Sequence, residues 1–172
     1  MNRPLNSEYQ PYYETYISKV KEDDVLSFME EQLIRFINLF ESVLKEKENY
    51  SYAAGKWSIK EVLGHITDSE RVFAYRALCI ARGEKKSLPG FDQNGYAEEA
   101  NFNERKLQDM LNEFRLQRES NIILFKSFSE DMLNRLGTAN EKQVTVRALL
   151  FIIAGHAEHH FDILKTRYLA DN

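Results

Sequence analysis

The chain has one cysteine, Cys79, so it can form no internal disulfide. A chain that does without disulfides fits a reducing compartment, and the cytoplasm is the expected location. Prolines number three and glycines seven, a scarcity of helix breakers that suits long helices. No apolar run approaches the roughly 20 residues that cross a bilayer. Residues Met1 to Pro11 are polar and lack the apolar centre of a secretory signal, so neither export nor a membrane is expected. Positive charge is not in excess either. The formal net charge is -4, which argues against a nucleic-acid binder relying on phosphate neutralisation. Arg82, Lys85 and Lys86 form a local basic spot, not a basic face interleaved with aromatics.

What is present suits one well-filled core. Apolar residues make up 43% of the 172 positions and charged residues 29%, enough to fill an interior and coat it. The expectation is a single all-α domain over residues 1–172, opening with a short irregular segment of about residues 1–22. Asp23 or Asp24 can cap a first helix running to about Glu48, with Leu26, Met29, Leu33, Ile37, Phe40 and Leu44 at helical spacing. Gly55 punctuates the break that follows. Ser58 then begins a second helix to about Ala81, and Glu61 stands where a capping box needs it. Trp57 and Val62 are placed for a hydrophobic staple, and Arg82-Gly83 closes the helix. Residues 83–102 form a connection too long for a simple hairpin, so it either crosses the bundle or covers an opening. A third helix follows Asn103 and uses Leu107, Leu111, Phe114 and Phe125. Phe128 to Lys142 reads as a polar connection. Thr145 caps a last helix to about Leu169. Four such helices make a bundle the expected solution.

The chemistry is concentrated in histidine. Of four histidines, three lie in Gly155-His156-Ala157-Glu158-His159-His160, and the fourth is His65. His156 and His160 are one helical turn apart on one face and can reach a common ion about 2.0–2.1 Å from each nitrogen. His65 would supply a third ligand from the second helix. Asp68, Ser69, Val72 and Arg76 share its stripe, which is partly polar although it should face inward, and inward polar groups need partners. The alternative is a packed or surface histidine pair, with His65 hydrogen-bonded to a carboxylate or carbonyl. His159 falls off the common face and could line a pocket edge. Glu158 points away and reads as a solvated residue. The order His156-Ala157-Glu158 places alanine where the HExxH zinc-protease motif has its glutamate base, which disfavours proteolysis.

The segments Gly55-Lys56-Trp57-Ser58-Ile59-Lys60-Glu61-Val62-Leu63-Gly64-His65, Glu70 to Arg76, Leu88-Pro89-Gly90-Phe91-Asp92, Arg135 to Asn140, Val144 to Leu149 and Ile153 to His160 appear in that order. Together they resemble the DinB-like superfamily of helical bundles, which includes YfiT-type bacillithiol transferases. The resemblance covers most of the chain after the first helix. It implies a four-helix bundle with a metal at one end of its interior, held by His65, His156 and His160. It also implies a homodimer, and in some members transfer of a low-molecular-weight thiol onto an electrophile.

Three neutral imidazoles leave a divalent ion its positive charge and an open position at which a thiol or a water is acidified. Zinc suits this set best, and nickel also accepts imidazole. Arg76 and Tyr75 could meet a polar thiol carrier, and Asp92 could orient a ligand imidazole. The alternatives are a salt-bridged arginine and a capping aspartate. Cys79 reads as a small core thiol. Three functions stay open: a metal-dependent thiol transferase, a metal-dependent hydrolase, and a non-enzymatic metal-binding or interaction bundle.

Overall fold

The computed structural model describes residues 2–170. Its elements in chain order are α1 (Glu14–Ile17), α2 (Val25–Glu41), α3 (Ile59–Ala81), α4 (Gln93–Glu99), α5 (Leu107–Lys126), α6 (Glu130–Leu133), β1 (Leu136–Ala139), β2 (Lys142–Thr145) and α7 (Val146–Ile163), which runs into a wider π-type turn over Leu164–Tyr168.

Local chemistry explains where the long helices begin. Ser58 accepts from the Glu61 amide while the Glu61 carboxylate accepts from the Ser58 amide, so α3 opens on a complete capping box. It ends at Gly83, whose φ of +91° suits a residue without a Cβ. Asp24 caps α2 and Thr145 caps α7, each through its side-chain oxygen. The first long helix is shorter than its apolar spacing predicts. It stops at Glu41, and the Ser42 hydroxyl turns back onto the Leu39 carbonyl at 2.7 Å. Leu44 is consequently exposed, and the buried face of α2 includes Gln32 and Phe36.

The four long helices close a ring. Helix α3 packs on α5 and α7, and α2 packs on α5 and α7. Consecutive α2 and α3 therefore lie across a diagonal, as do α5 and α7, whereas the longest linker, residues 82–106, joins the neighbours α3 and α5.

Two elements depart from the sequence expectation. Residues 128–142 are not a featureless connection: they hold α6 and β1, and β1 pairs antiparallel with β2 in the register Leu136↔Thr145 to Ala139↔Lys142. The turn uses Asn140 and Glu141, both with positive φ (49° and 61°). Leu88 adds to this hairpin by exchanging backbone hydrogen bonds with Thr138 and Asn140 at 2.9 and 2.8 Å, which fastens the 83–102 connection to the end of the bundle. The opening segment is likewise ordered. It makes single turns at Asn6–Glu8 and Pro11–Tyr13, then α1, and buries Tyr9, Ile17 and Val20 against α7 and its neighbours.

The core falls into two apolar clusters, and a polar layer separates them. On α2, Gln32 sits between Met29 of one cluster and Leu33 of the other. On α5, Arg118 sits between Ile122 and Phe114; on α3, Glu70 between Phe73 and Ile66; on α7, His156 between Ala154 and Ala157. All the chemistry described next lies in or beside this layer.

Candidate metal centre

Helix α3 presents His65 toward α7, which presents His156 and His160 one turn apart. The ligand-capable nitrogens of these three rings lie within 4.8 Å of one another. His65 Nε2 is 3.1 Å from His156 Nε2. His65 and His156 are 4% and 5% exposed, and His160 is partly buried. Ring centroids stand 4.7–5.0 Å apart around the trio. Trp57 covers His65 at 4.5 Å between centroids, and Tyr16 meets His156 edge-on at 5.2 Å.

The backbone approaches that allow this are made by glycines directly before two of the histidines. A Cβ on Gly64 would strike the Phe102 ring, and one on Gly155 would strike the Tyr16 carbonyl oxygen. Gly155 thus lets the opening segment lie flat on α7 beside His156.

Burial is the first cause of the trio's electrostatics. It pushes the His65 imidazole down to about 4, with His159 adding to the effect. His156 and His160 are held well below the ordinary histidine value by burial and then by neighbouring rings. All three are neutral near pH 7 and offer lone pairs. One N–H···N bond can satisfy His65 and His156 as a pair, whereas the His160 ring makes no hydrogen bond among the described residues. Three converging neutral nitrogens with no carboxylate among them are a donor set that a divalent cation fits. Ser69 Oγ lies 3.5 Å from His65 Nδ1, a long contact that aligns the ring weakly.

A cavity opens on each side of the trio. One, of about 130 Å³, is lined by His156, Ser69, Arg76, Phe73 and the Tyr12, Tyr13 and Tyr16 rings. The other, of about 250 Å³, is lined by His160, Trp57, Tyr52, Tyr168 and Asn94. Gln93 and Asn94, at the start of α4, contribute one residue to each. No residue lining either cavity is acidic.

The remaining candidates disperse. Arg76 is brought to the first cavity. Asp92 caps α4 by accepting from the Asn94 amide at 3.0 Å, the capping alternative, and lines neither cavity. Tyr75 is 56% exposed and faces the outer groove between α3 and α5. His159 stacks edge-on against Tyr16 and His160 but lines neither cavity. Cys79 is half-buried against the core. Glu158 is not the solvated residue its helical position suggests: Arg35 grips it with two bonds of 2.7 and 2.9 Å, and Gln32 donates to it at 2.7 Å. The Tyr12, Tyr13 and Tyr16 cluster went unread as part of a site, because nothing local ties it to a helix more than a hundred residues away. A glycine inside the apolar α7 was the available signal, since such a residue usually has a packing reason.

The DinB superfamily profile matches residues 29–164. This chain belongs to the DinB superfamily. Solved structures agree with the DinB fold. YfiT from Bacillus subtilis, described as a probable metal-dependent hydrolase with an unusual four-helix bundle topology, superposes with a TM-score of 0.74 at 16% identity over 95% of this chain and 91% of that one. The mycothiol-dependent maleylpyruvate isomerase gives 0.67 at 13% identity, over 85% of this chain and 62% of that one. The DinB-like protein YjoA from Bacillus subtilis gives 0.62 at 22% identity, over 85% and 90%. No curated protein sequence matches. The DinB bundle expected from the sequence is therefore the observed fold.

Proposed function

We propose that the protein is a metal-dependent transferase that activates a small thiol for attack on an electrophile, with His65, His156 and His160 holding a divalent ion, zinc best and nickel also acceptable. The observation that carries this reading is the convergence within 4.8 Å of three neutral imidazole nitrogens, two buried and one partly buried, from two helices on which His65 and His156 are 91 residues apart. When bound, the ion supplies Lewis acidity and acidifies a thiol or water at its open position.

The chain's own residues do the rest. Trp57 and Tyr16 shield the rings from solvent on two sides, and burial keeps the imidazoles unprotonated and ready to bind. The two cavities give separate places for the bodies of two reactants. Thiol transfer needs no protein base once the thiol proton has been released, and neither cavity holds a carboxylate. The second reading, hydrolysis by an acidified water, draws support from the description of YfiT as a probable hydrolase. The mycothiol dependence of the isomerase neighbour supports the first. A cytoplasmic homodimer with one domain over residues 1–172, acting on small molecules rather than nucleic acid or membrane, completes the proposal. The single cysteine and the acidic balance support the location and the exclusion of nucleic acid.

The test is conjugation of 2-mercaptoethanol to 1-chloro-2,4-dinitrobenzene by purified protein. Saturable turnover should vanish on chelation, return with zinc, and be absent from His156→Ala. Chelation-sensitive ester hydrolysis without any thiol would select the hydrolase. Metal binding without either activity would leave a non-enzymatic bundle.

A further inference from the structure

Arg76 is 4% exposed and forms no ion pair among the described residues. Its Nη2 donates to the Pro89 carbonyl at 2.6 Å, and its Nε is buried with no partner. Phe73 and Phe91 lie under the guanidinium at 5.5 and 5.9 Å from their ring centroids. Arg118, which is fully buried, is treated differently: Glu70 meets it with three bonds of 2.7–2.9 Å and Gln32 with a fourth. A permanently charged group largely buried without an anion is an expensive arrangement, and a negative charge brought to it from outside the chain would offset that cost.

The space for it is present. Arg76 forms the wall between the ≈ 130 Å³ cavity beside His156 and a ≈ 240 Å³ cavity under Leu88, Pro89 and Tyr96, and neither contains an acidic residue. The first has room for several waters, enough for a carboxylate arm, and Ser69 and the tyrosines supply further polar atoms around it.

We infer that Arg76 and the cavity beside His156 form a carboxylate-binding subsite, which orients a reactant so that its reacting atom reaches the histidine trio. An arginine fork suits a carboxylate in two parallel bonds, and the hydrophobic floor of Phe73 and Phe91 strengthens the pairing by excluding water. The carboxylate belongs either to the thiol or to the electrophile. This inference rests on the trio being the reacting centre, but anion binding itself does not need the ion.

The experiment measures calorimetric binding of succinate and of uncharged succinamide to chelated full-length protein. Wild type should bind succinate and ignore succinamide. Arg76→Gln should weaken succinate about tenfold or more, Arg76→Lys should recover part of the loss, and Arg115→Gln, away from both cavities, should change nothing. Thermal melts of all variants establish that they are folded, and the wild-type contrast stands even if Arg76→Gln is not. Equal binding of succinate and succinamide, or unchanged succinate binding by folded Arg76→Gln, overturns the subsite. With zinc added, 3-mercaptopropionate should surpass both 2-mercaptoethanol and propionate if one molecule carries thiol and carboxylate. Without that gain, the succinate contrast assigns the carboxylate to the electrophile. Succinate binding that depends on Arg76, in protein that fails to bind zinc, would sink the proposed transferase and leave the subsite intact.

Discussion

Two buried polar clusters share the middle of this bundle, and they are completed in opposite ways. Arg118, fully buried on α5, has Glu70 and Gln32 as partners, and Gln32 passes the connection to the Ala154 carbonyl and to Glu158, itself held by Arg35. Charges and donors there cancel within the protein. The histidine trio and Arg76, on either side of Glu70 along α3 and beside it on α7, lack that closure: the three imidazoles converge with no carboxylate among them, and the buried Arg76 Nε is without a hydrogen-bond partner among the described residues. Clusters of the first kind hold four helices in one register. Clusters of the second kind cost stability unless something binds, which marks them as sites.

The contrast can be broken most severely at the closed cluster. Glu70→Ala leaves Arg118 charged and unpaired in the core and should cost about 3–5 kcal/mol in urea unfolding. His156→Ala in chelated protein should cost less than that, since it removes a group with an incomplete set of partners. Its zinc affinity should nevertheless fall by more than about a hundredfold in equilibrium dialysis, because substitutions that merely orient a ligand already cost up to that much. His159→Ala should show a much smaller loss. Equal losses at positions 156 and 159 would refute the ligand assignment.

Acid should separate the clusters next. The trio's imidazoles have folded values below their unfolded value of 6.5, and His65 reaches about 4. The unfolded chain therefore binds more protons as pH falls, so the stability of chelated protein should drop as pH is lowered from about 6.5 toward 4. Zinc should oppose the drop near its upper end, since it binds only the deprotonated rings. A flat stability profile over this range would contradict neutral burial of the trio. The smallest of these effects is expected at the edge of the site. Gly155→Ala places a Cβ against the Tyr16 carbonyl and should cost about 1–3 kcal/mol, offset in part by better helix propensity. The cost should be local: faster amide exchange at Ile17 and Val20, with the α3 amides unchanged.

Much of the fold was legible because it is written locally. Ser58 with Glu61, Thr145 before an apolar run, and Gly83 after Ala81 each state a helix end within a few positions. The pair His156 and His160 was legible for the same reason, since a four-residue interval places two side chains together wherever the helix goes. The hairpin was not. Its strands are four residues each, its turn is Asn140-Glu141 rather than Asn-Gly, and β1 contains a glycine that is there because Ile80 lies against it. Glu158 was misread because a helical wheel gives its direction and not its neighbour, and Arg35 lies 123 positions earlier.

The sequence by itself determined four amphipathic helices, the capped starts of three of them, and a histidine content concentrated on two, because propensity, capping and side-chain period act over one or two turns. Only the tertiary structure decided which helices are neighbours, that Arg118 has an acid and Arg76 has none, and that three tyrosines from the opening segment wall the cavity at His156. Those outcomes depend on contacts between segments 48 to 144 positions apart, and the bundle ring order that creates them is set by packing of whole faces rather than by any short stretch of chain.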